Sequence, residues 1–364
     1  MAAPSVAFDV GPLLGRRTGI GAAVAALERG LTESNDVTLV PYVTSFRGSR
    51  PAGVHRLGIP AAVAHRLWAH RDWPRLDRWV PGAAVVHGTN YVVPPSRLPR
   101  VVSVYDCWFL RNGAEANPAV VRAGRVLARS LGTGAVAHAS SGATADAIRE
   151  LFPGTEVRTI LLGAVHLVAP PSACPIPELA GRPFLVSIST LERRKNLPAL
   201  VDAFGSIAHL HPELALVMAG AAGDDALAVD AAIDRLDPAV TSRVMRTGFV
   251  DDTTRSWLLH HAVALCYPSL DEGFGFPLLD AMQASTAIVA TSVGSIPEVT
   301  GDAALLVPVG DHDALAGALD AVAGDDSRRA SLAAAGTRRL EHFTWERTTR
   351  AMIHLYSELA ETAR

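Results

Sequence analysis

The residues of this chain best suited to act together lie in Pro268-Ser269-Leu270-Asp271-Glu272-Gly273-Phe274-Gly275-Phe276-Pro277-Leu278-Leu279-Asp280-Ala281-Met282. The order reads as an acidic turn, a glycine-rich bend and the first turns of a helix. Pro277 marks the helix entry, because proline suits a first turn where its missing N–H costs nothing. The amides of Gly275 and Phe276 then lack intrahelical acceptors and sit at the positive end of the helix dipole. That is a site for an anion, most often phosphate. Glu272 precedes this site, and Asp280 follows eight residues later. A carboxylate beside a phosphate pocket repels the phosphate, so it needs another task, such as holding hydroxyls. Phosphate plus hydroxyls describes a nucleotide-sugar.

A second group is Ser187-Ile188-Ser189-Thr190-Leu191-Glu192-Arg193-Arg194-Lys195-Asn196. Three cations in a row are by themselves more often a solvated turn. Placed in a loop after a strand, and paired with a second phosphate-type motif, they suit a diphosphate: arginine forks onto oxygens and lysine acts as a point charge. A third is Gly11-Pro12-Leu13-Leu14-Gly15-Arg16-Arg17-Thr18-Gly19-Ile20-Gly21, where Gly19 and Gly21 let backbone approach a ligand at a helix start. It is not a G-x-G-x-x-G, and a plain turn fits it equally. A fourth pair, His87-Gly88-Thr89-Asn90-Tyr91 and Tyr105-Asp106-Cys107-Trp108, follows two apolar strands, although a lone histidine or tyrosine there is more often structural. Metal chemistry finds little support. Asp311-His312-Asp313 precedes a helix for which Asp313 is a natural N-cap, and no Cys/His ligand spacing occurs. Tryptophan and arginine mix over residues 64–79, which fits peripheral contact with a membrane or an acceptor, or a packed helix and turn with snorkelling arginines.

These motifs need strand ends to carry them, and the chain supplies a series of them. Ser5–Val10, Val37–Val43, Ala83–His87, Arg100–Tyr105 and Ala135–Ala139 read as strands, with an Ala-rich helix at Gly21–Leu31. Four prolines between Pro170 and Pro177 mark a semi-stiff linker. A second series follows: strands at Pro183–Ser189, Leu214–Ala219, Val244–Gly248, Ala262–Tyr267, Thr286–Thr291 and Ala304–Val307, with helices at Ala199–Leu210 and Thr253–His260. Trp345–Thr362 is one amphipathic helix with Met352, Leu355, Tyr356 and Leu359 on a stripe. The pattern predicts an α/β protein of two Rossmann-like, doubly wound parallel-sheet domains facing a cleft. The first spans 1–168 and is completed by 345–364, the linker spans 169–182, and the second domain spans 183–344. At 364 residues two cores are expected. A net charge of −3 argues against a nucleic-acid partner. No charge-free run long enough to span a bilayer occurs, and no signal-peptide plan opens the chain. With three scattered cysteines, Cys107, Cys174 and Cys266, the expected setting is a reduced cytoplasm, at most peripheral to the membrane.

Together these pieces resemble the retaining glycosyltransferases of family 4, which have the GT-B fold. The family's E-G-F-G-x-P-x-x-E-A-M segment stands as Glu272 to Met282, and its E-P-R-K-N loop as Glu192-Arg193-Arg194-Lys195-Asn196. Its T-G-I-G opening is Thr18-Gly19-Ile20-Gly21, its H-G-x-N-Y segment is His87 to Tyr91, and its P-E-V is Pro297-Glu298-Val299. The resemblance implies that Glu272 holds donor-sugar hydroxyls. It makes Phe274, Gly275 and Phe276 backbone contacts to sugar and phosphate, and Arg194 and Lys195 the neutralisers of the diphosphate. Gly248-Phe249-Val250 would flank the base, Gly19 and Gly21 would approach the donor, and His87, Asn90 and Tyr91 would lie on the acceptor side. Two departures matter. The glutamate that binds ribose in the family is Asp280 here, one methylene shorter. Many relatives carry His-Asp where this chain has Tyr105-Asp106, and tyrosine cannot carry a proton near neutral pH as histidine does.

The implied activity is transfer of a hexose from a nucleoside-diphosphate sugar (GDP-, UDP- or dTDP-linked) to a hydroxyl of a glycan, lipid-linked or small-molecule acceptor. It implies retention of configuration, with no metal or other cofactor. The leaving phosphate serves as base in that mechanism, so loss of the histidine need not abolish transfer. A rival class is a GT-B-like protein that binds a nucleotide-sugar or partner enzyme without transferring. Tyr105 and Asp280 favour it, while the intact Glu272, Arg194 and Lys195 oppose it.

Overall fold

The computed structural model describes residues 3–14, 19–44, 52–113 and 118–362. Two compact units emerge, one of 1–163 with 343–364 and one of 164–342. The first unit thus ends at Gly163 and resumes at Phe343, and the proline-rich segment belongs to the second. There a short helical turn, Pro177–Leu179, buries Leu179.

The first unit runs β1 (Ser5–Asp9), α1 (Gly19–Ser34), β2 (Thr38–Val43), β3 (His55–Arg56), α2 (Ala61–Trp68), β4 (Val85–Gly88), β5 (Arg100–Val104), α3 (Trp108–Arg111), α4 (Pro118–Gly132), β6 (Val136–Ala139), α5 (Gly142–Leu151) and β7 (Val157–Thr159). The sheet order is β3-β2-β1-β4-β5-β6-β7, with parallel pairings. Two strands escape the sequence pattern. β3 is two residues long and β7 three, too short for alternation to register, and each exists through its neighbour's ladder. β1 alternates as a two-sided strand must. Val6 and Phe8 join one core with Val24 and Leu31 of α1, while Ala7 joins the other with Trp68 of α2 and Leu127 of α4. The C-terminal helix, Trp345–Thr362, returns to the first core through Met352, Leu355 and Tyr356, as its stripe predicts.

The second unit runs β8 (Phe184–Ile188), α6 (Leu197–Ile207), β9 (Ala215–Ala219), α7 (Ala226–Asp234), α8 (Pro238–Thr241), β10 (Val244–Gly248), α9 (Asp252–His261), β11 (Ala264–Tyr267), α10 (Phe276–Gln283), β12 (Ala287–Thr291), α11 (Ile296–Thr300), β13 (Leu305–Val307), α12 (His312–Gly324) and α13 (Asp326–Arg339), which makes the C-terminal helix α14. Its sheet order is β10-β9-β8-β11-β12-β13, again with parallel pairings. In each sheet the winding reverses beside the first strand, between β1 and β4 and between β8 and β11. Ligands of such sheets bind outside the carboxyl ends at that switch point. Two local expectations change. Asp311, not Asp313, caps α12, by accepting from the Ala314 N–H. In the 64–79 stretch, Trp68 is buried and donates to the Pro74 carbonyl at 3.0 Å, so packing rather than surface contact claims it, while Trp73 remains exposed.

A polar thread crosses the first core. His87 Nδ1 meets the Tyr356 hydroxyl at 2.7 Å and its Nε2 meets Ser103 Oγ at 2.8 Å. Ser103 Oγ also meets His138 Nδ1 at 2.8 Å, and His138 Nε2 meets the Ile160 carbonyl at 3.0 Å. Burial holds His138 down to about 4, and holds His87 well below the usual imidazole range. The unfolded chain therefore binds more protons than the folded one between about pH 4 and 6.5, and the histidines withdraw stability as pH falls through that window. The buried carboxyls Asp9 and Asp280, whose pKa values are raised, act in the opposite direction. A His138→Gln variant isolates the histidine's part. It should unfold at a lower temperature than wild type at pH 7 and lose less of its midpoint on going to pH 5. Parallel pH profiles in thermal melts would contradict this account.

Candidate active site

The site of the second unit is built by two loops at its switch point. After β8 the chain makes a short helical turn, Arg193–Lys195, and Asn196 stops it in the left-handed region at φ 51°. After β11 it runs into the loop before α10. The loops are joined by main-chain and side-chain bonds: the Leu270 N–H donates to the Arg194 carbonyl at 2.8 Å, and Asn196 Nδ2 donates to the Pro268 carbonyl at 3.3 Å. This register brings Arg194 and Lys195 onto Glu272. Arg194 Nη1 donates to Glu272 Oε2 at 2.9 Å and to the Asp271 carbonyl at 3.3 Å. Lys195 Nζ donates to Glu272 Oε1 and, at 2.9 Å, to the Tyr267 hydroxyl. Ser269 Oγ donates to Glu272 Oε1 at 3.0 Å.

Glu272 is only 5% exposed. Burial pushes its carboxyl up, yet Lys195 and Arg194 outweigh burial and hold it down at about 2. Lys195 is pulled down by the same burial, with the Glu272 carboxylate opposing. Glu272 is thus an anion whose oxygens are held in place, and two cations face it. The backbone around it is equally constrained. Gly294 has φ 54°, and a Cβ there would stand 2.3 Å from the Glu272 carbonyl, so only glycine allows the loop after β12 to lie against this residue. The next N–H, of Ser295, donates to that carbonyl at 2.9 Å.

Gly275, at φ 90°, is the N-cap of α10, with Pro277 in its first turn. Phe274 is buried and meets Phe276 edge-on, with ring centroids 5.1 Å apart. Asp280 lies one turn further on, 3% exposed, with Oδ2 accepting from Arg255 Nη1 at 3.0 Å. Burial raises its carboxyl to about 6 against the pull of Arg255. Gly248 ends β10 at φ 69° and Phe249 is 61% exposed, in keeping with a face left open. Motif reading overlooked Tyr267, Ser269 and Arg255, which position the three motif residues through contacts that no spacing reveals. It also passed over the hydroxyls of Ser187, Ser189 and Ser295, which have no hydrogen-bond partner among the described residues.

In the first unit, Tyr105 and Asp106 follow β5. The Tyr105 hydroxyl donates to the Thr89 carbonyl at 2.8 Å, and burial pushes its pKa up, so its proton stays there. Asp106 Oδ2 accepts from the Tyr91 hydroxyl at 3.1 Å, and its Oδ1 from the Trp108 N–H at 3.1 Å. Tyr91 stands at φ 58°, with its ring edge-on to Tyr105 and Phe109. His87, expected on an acceptor surface, is fully buried within the polar thread, because β4 is covered on both faces. Gly19 and Gly21 open α1, while Thr18 and the three residues before it lie outside the described residues. Among the described residues no three His, Cys, Asp or Glu side chains gather as a metal would need, and no helix is long and apolar enough to cross a membrane.

Two units, each a doubly wound parallel sheet, give this chain the GT-B fold. Residues 176–339 match the family described as glycosyl transferases group 1. The chain is 28% identical over 306 residues to O-antigen chain mannosyltransferase B of Escherichia coli, covering 81% of this chain and 77% of that one. It is 31% identical over 172 residues to a phosphatidyl-myo-inositol mannosyltransferase of Mycolicibacterium smegmatis, covering 46% of this chain and 43% of that one. Among solved structures, sucrose-phosphate synthase of Thermosynechococcus elongatus superposes with a TM-score of 0.75 at 18% identity, over 99% of this chain and all of that one. WaaG, a lipopolysaccharide glycosyltransferase, superposes with a TM-score of 0.69 at 16% identity, over 97% and 99%.

Removing Lys195 leaves a buried carboxylate short of partners. Lys195→Ala should destabilise the second unit by about 3 kcal/mol, the cost of breaking a buried pair from one side. Adding Glu272→Gln should recover part of that loss, and urea unfolding of the single and double variants measures both. A Lys195→Ala midpoint equal to wild type would remove the pair from the stability of this unit.

Proposed function

We propose that this protein transfers a hexosyl unit from a nucleoside-diphosphate sugar to an acceptor hydroxyl with retention of configuration, and that it needs no metal to do so. The observation that carries this reading is the convergence of Arg194 and Lys195 on Glu272 beside the open N-terminus of α10. A diphosphate has the charge and geometry to draw both cations and to accept from the first amides of α10. Glu272, kept ionised, then accepts from sugar hydroxyls. When the bond between C1 and the phosphate oxygen breaks, negative charge grows on the leaving diphosphate, where the cations already stand. The acceptor oxygen attacks C1 from the same face, and a phosphate oxygen takes its proton. No side-chain base is required, which accords with a Tyr105 proton committed to a carbonyl. The similarity to proteins named mannosyltransferases makes mannose the first sugar to test. The acceptor is assigned to the first unit.

Incubation with GDP-mannose, UDP-glucose and dTDP-rhamnose in the presence of bacterial glycan or lipid acceptors should release free nucleoside diphosphate with one donor. Glu272→Ala should lower the transfer rate by about a hundredfold or more, the scale of losing a contact that orients the donor. Full activity in that variant would remove Glu272 from the mechanism, and silence with every donor would favour a protein that binds without transferring. Product anomeric configuration, read by proton NMR, should match that of the donor. The rate should be unchanged by EDTA; a loss restored by a divalent cation would overturn the metal-independent reading.

A further inference from the structure

The acceptor positions on the Glu272 carboxylate can be counted. An ionised carboxylate offers about two lone pairs on each oxygen. Oε1 accepts from Lys195 Nζ and from Ser269 Oγ, and Oε2 accepts from Arg194 Nη1. Oε1 is therefore filled, and one position is left, on Oε2. Two neighbouring hydroxyls of a sugar ring take one carboxylate oxygen each. With Lys195 in place, Glu272 can accept only the first of them.

Of the two donors on Oε1, only Lys195 is free to leave. Ser269 is fully buried, and its carbonyl accepts from Thr291 Oγ1, which pins its backbone. Lys195 stands on a flexible four-carbon stem and has a second partner. Its Nζ also donates to the Tyr267 hydroxyl at 2.9 Å and lies 4.8 Å from the centroid of that ring. The third N–H of the ammonium has no partner among the described residues. An incoming anion can take that N–H before the carboxylate is released, so the exchange never leaves a bare buried cation. The released lone pair on Glu272, which is 5% exposed, then costs free energy until another donor fills it.

We propose that Lys195 works as a gate on Glu272: a diphosphate draws the ammonium off Oε1, with Tyr267 as the pivot, and the position so opened takes a second hydroxyl. A hexosyl ring is then held in full only behind a diphosphate, and by reciprocity its hydroxyl strengthens the hold on the diphosphate. Tyr267 is a positioning residue in this exchange. Identifying the hydroxyls as those of a transferred sugar rests on the glycosyltransferase reading; the passage of Lys195 between two anions does not.

Isothermal titration of the full chain with inorganic pyrophosphate tests the gate through a double-mutant cycle. Glu272→Gln should bind pyrophosphate about tenfold more tightly than wild type, because no carboxylate holds the lysine back. In a Lys195→Met background the same substitution should gain about twofold or less. Equal gains in the two backgrounds are plain repulsion between anions and overturn the gate. Crystals of the wild-type protein with pyrophosphate read the exchange without any variant. Lys195 Nζ should have left Glu272 Oε1 and kept the Tyr267 hydroxyl; an unchanged Lys195–Glu272 pair beside bound pyrophosphate overturns the gate as well. D-mannose, followed by saturation-transfer NMR, should bind about fivefold more tightly with pyrophosphate than without it, and equal affinity contradicts the opened position. Release of nucleoside diphosphate from the three donors separates the two readings. The expected pyrophosphate cycle without turnover keeps the gate and removes the transferase, and turnover with equal gains in both backgrounds does the reverse.

Discussion

The second unit is organised around one buried carboxylate. Glu272 has little access to water and lies where its own anion is unfavourable, so its oxygens must be met from within. Arg194, Lys195 and Ser269 meet them, and none of these can do so unless the loop after β8 lies against the loop after β11. That constraint explains several otherwise unrelated features. Asn196 takes a left-handed turn, Gly294 tolerates no side chain, and the Tyr267 ring lies under the lysine, with Nζ 4.8 Å from its centroid. A cluster assembled in this way is pre-organised. For the donor proposed above, the diphosphate would meet cations already desolvated and aimed, and the sugar a carboxylate that cannot drift.

The first unit answers the same problem with neutral groups. Its sheet is also buried on both faces, and the polar side chains β4, β5 and β6 carry inward are joined to Tyr356 of the C-terminal helix. Neutral imidazoles suit that role, since each ring nitrogen can meet a partner without a net charge to solvate. This thread, with Met352 and Leu355, is what binds a helix from the far end of the sequence to the first core. It also removes His87 from the chemistry: a ring with both nitrogens engaged and no solvent access cannot touch a substrate. Polar pairing is thus spent on charge where charge is to be used, and on tautomers where only order is needed.

Much of the fold was legible because parallel strands covered on both faces read as short apolar runs, and because the motif loops fall directly after them. The strands leading into the loops of Arg194 and Glu272 stood out for this reason. β3 and β7 did not, since two or three residues carry no period and only a neighbouring ladder creates them. Helix starts drifted by a residue or two wherever the cap rather than the apolar stripe decides, as at Asp311. The candidate site was legible as residue types, a helix start with acids and a cationic turn, but not as partnerships. Asp280 looked like a free carboxylate for hydroxyls until Arg255, from a different helix, was found holding it.

The sequence by itself determined the alternation of strand and helix, the two-unit plan, the phosphate-type helix start and the presence of Glu272, Arg194 and Lys195. These are properties of local order, of period, turn chemistry and charge along the chain. Only the tertiary structure decided which groups are paired and which are open. It placed Glu272 between two cations, tied Asp280 to Arg255 and buried His87. The reason is that burial and proximity between residues distant in sequence set the cost of every charge and the partner of every hydrogen bond, and neither is written in local order.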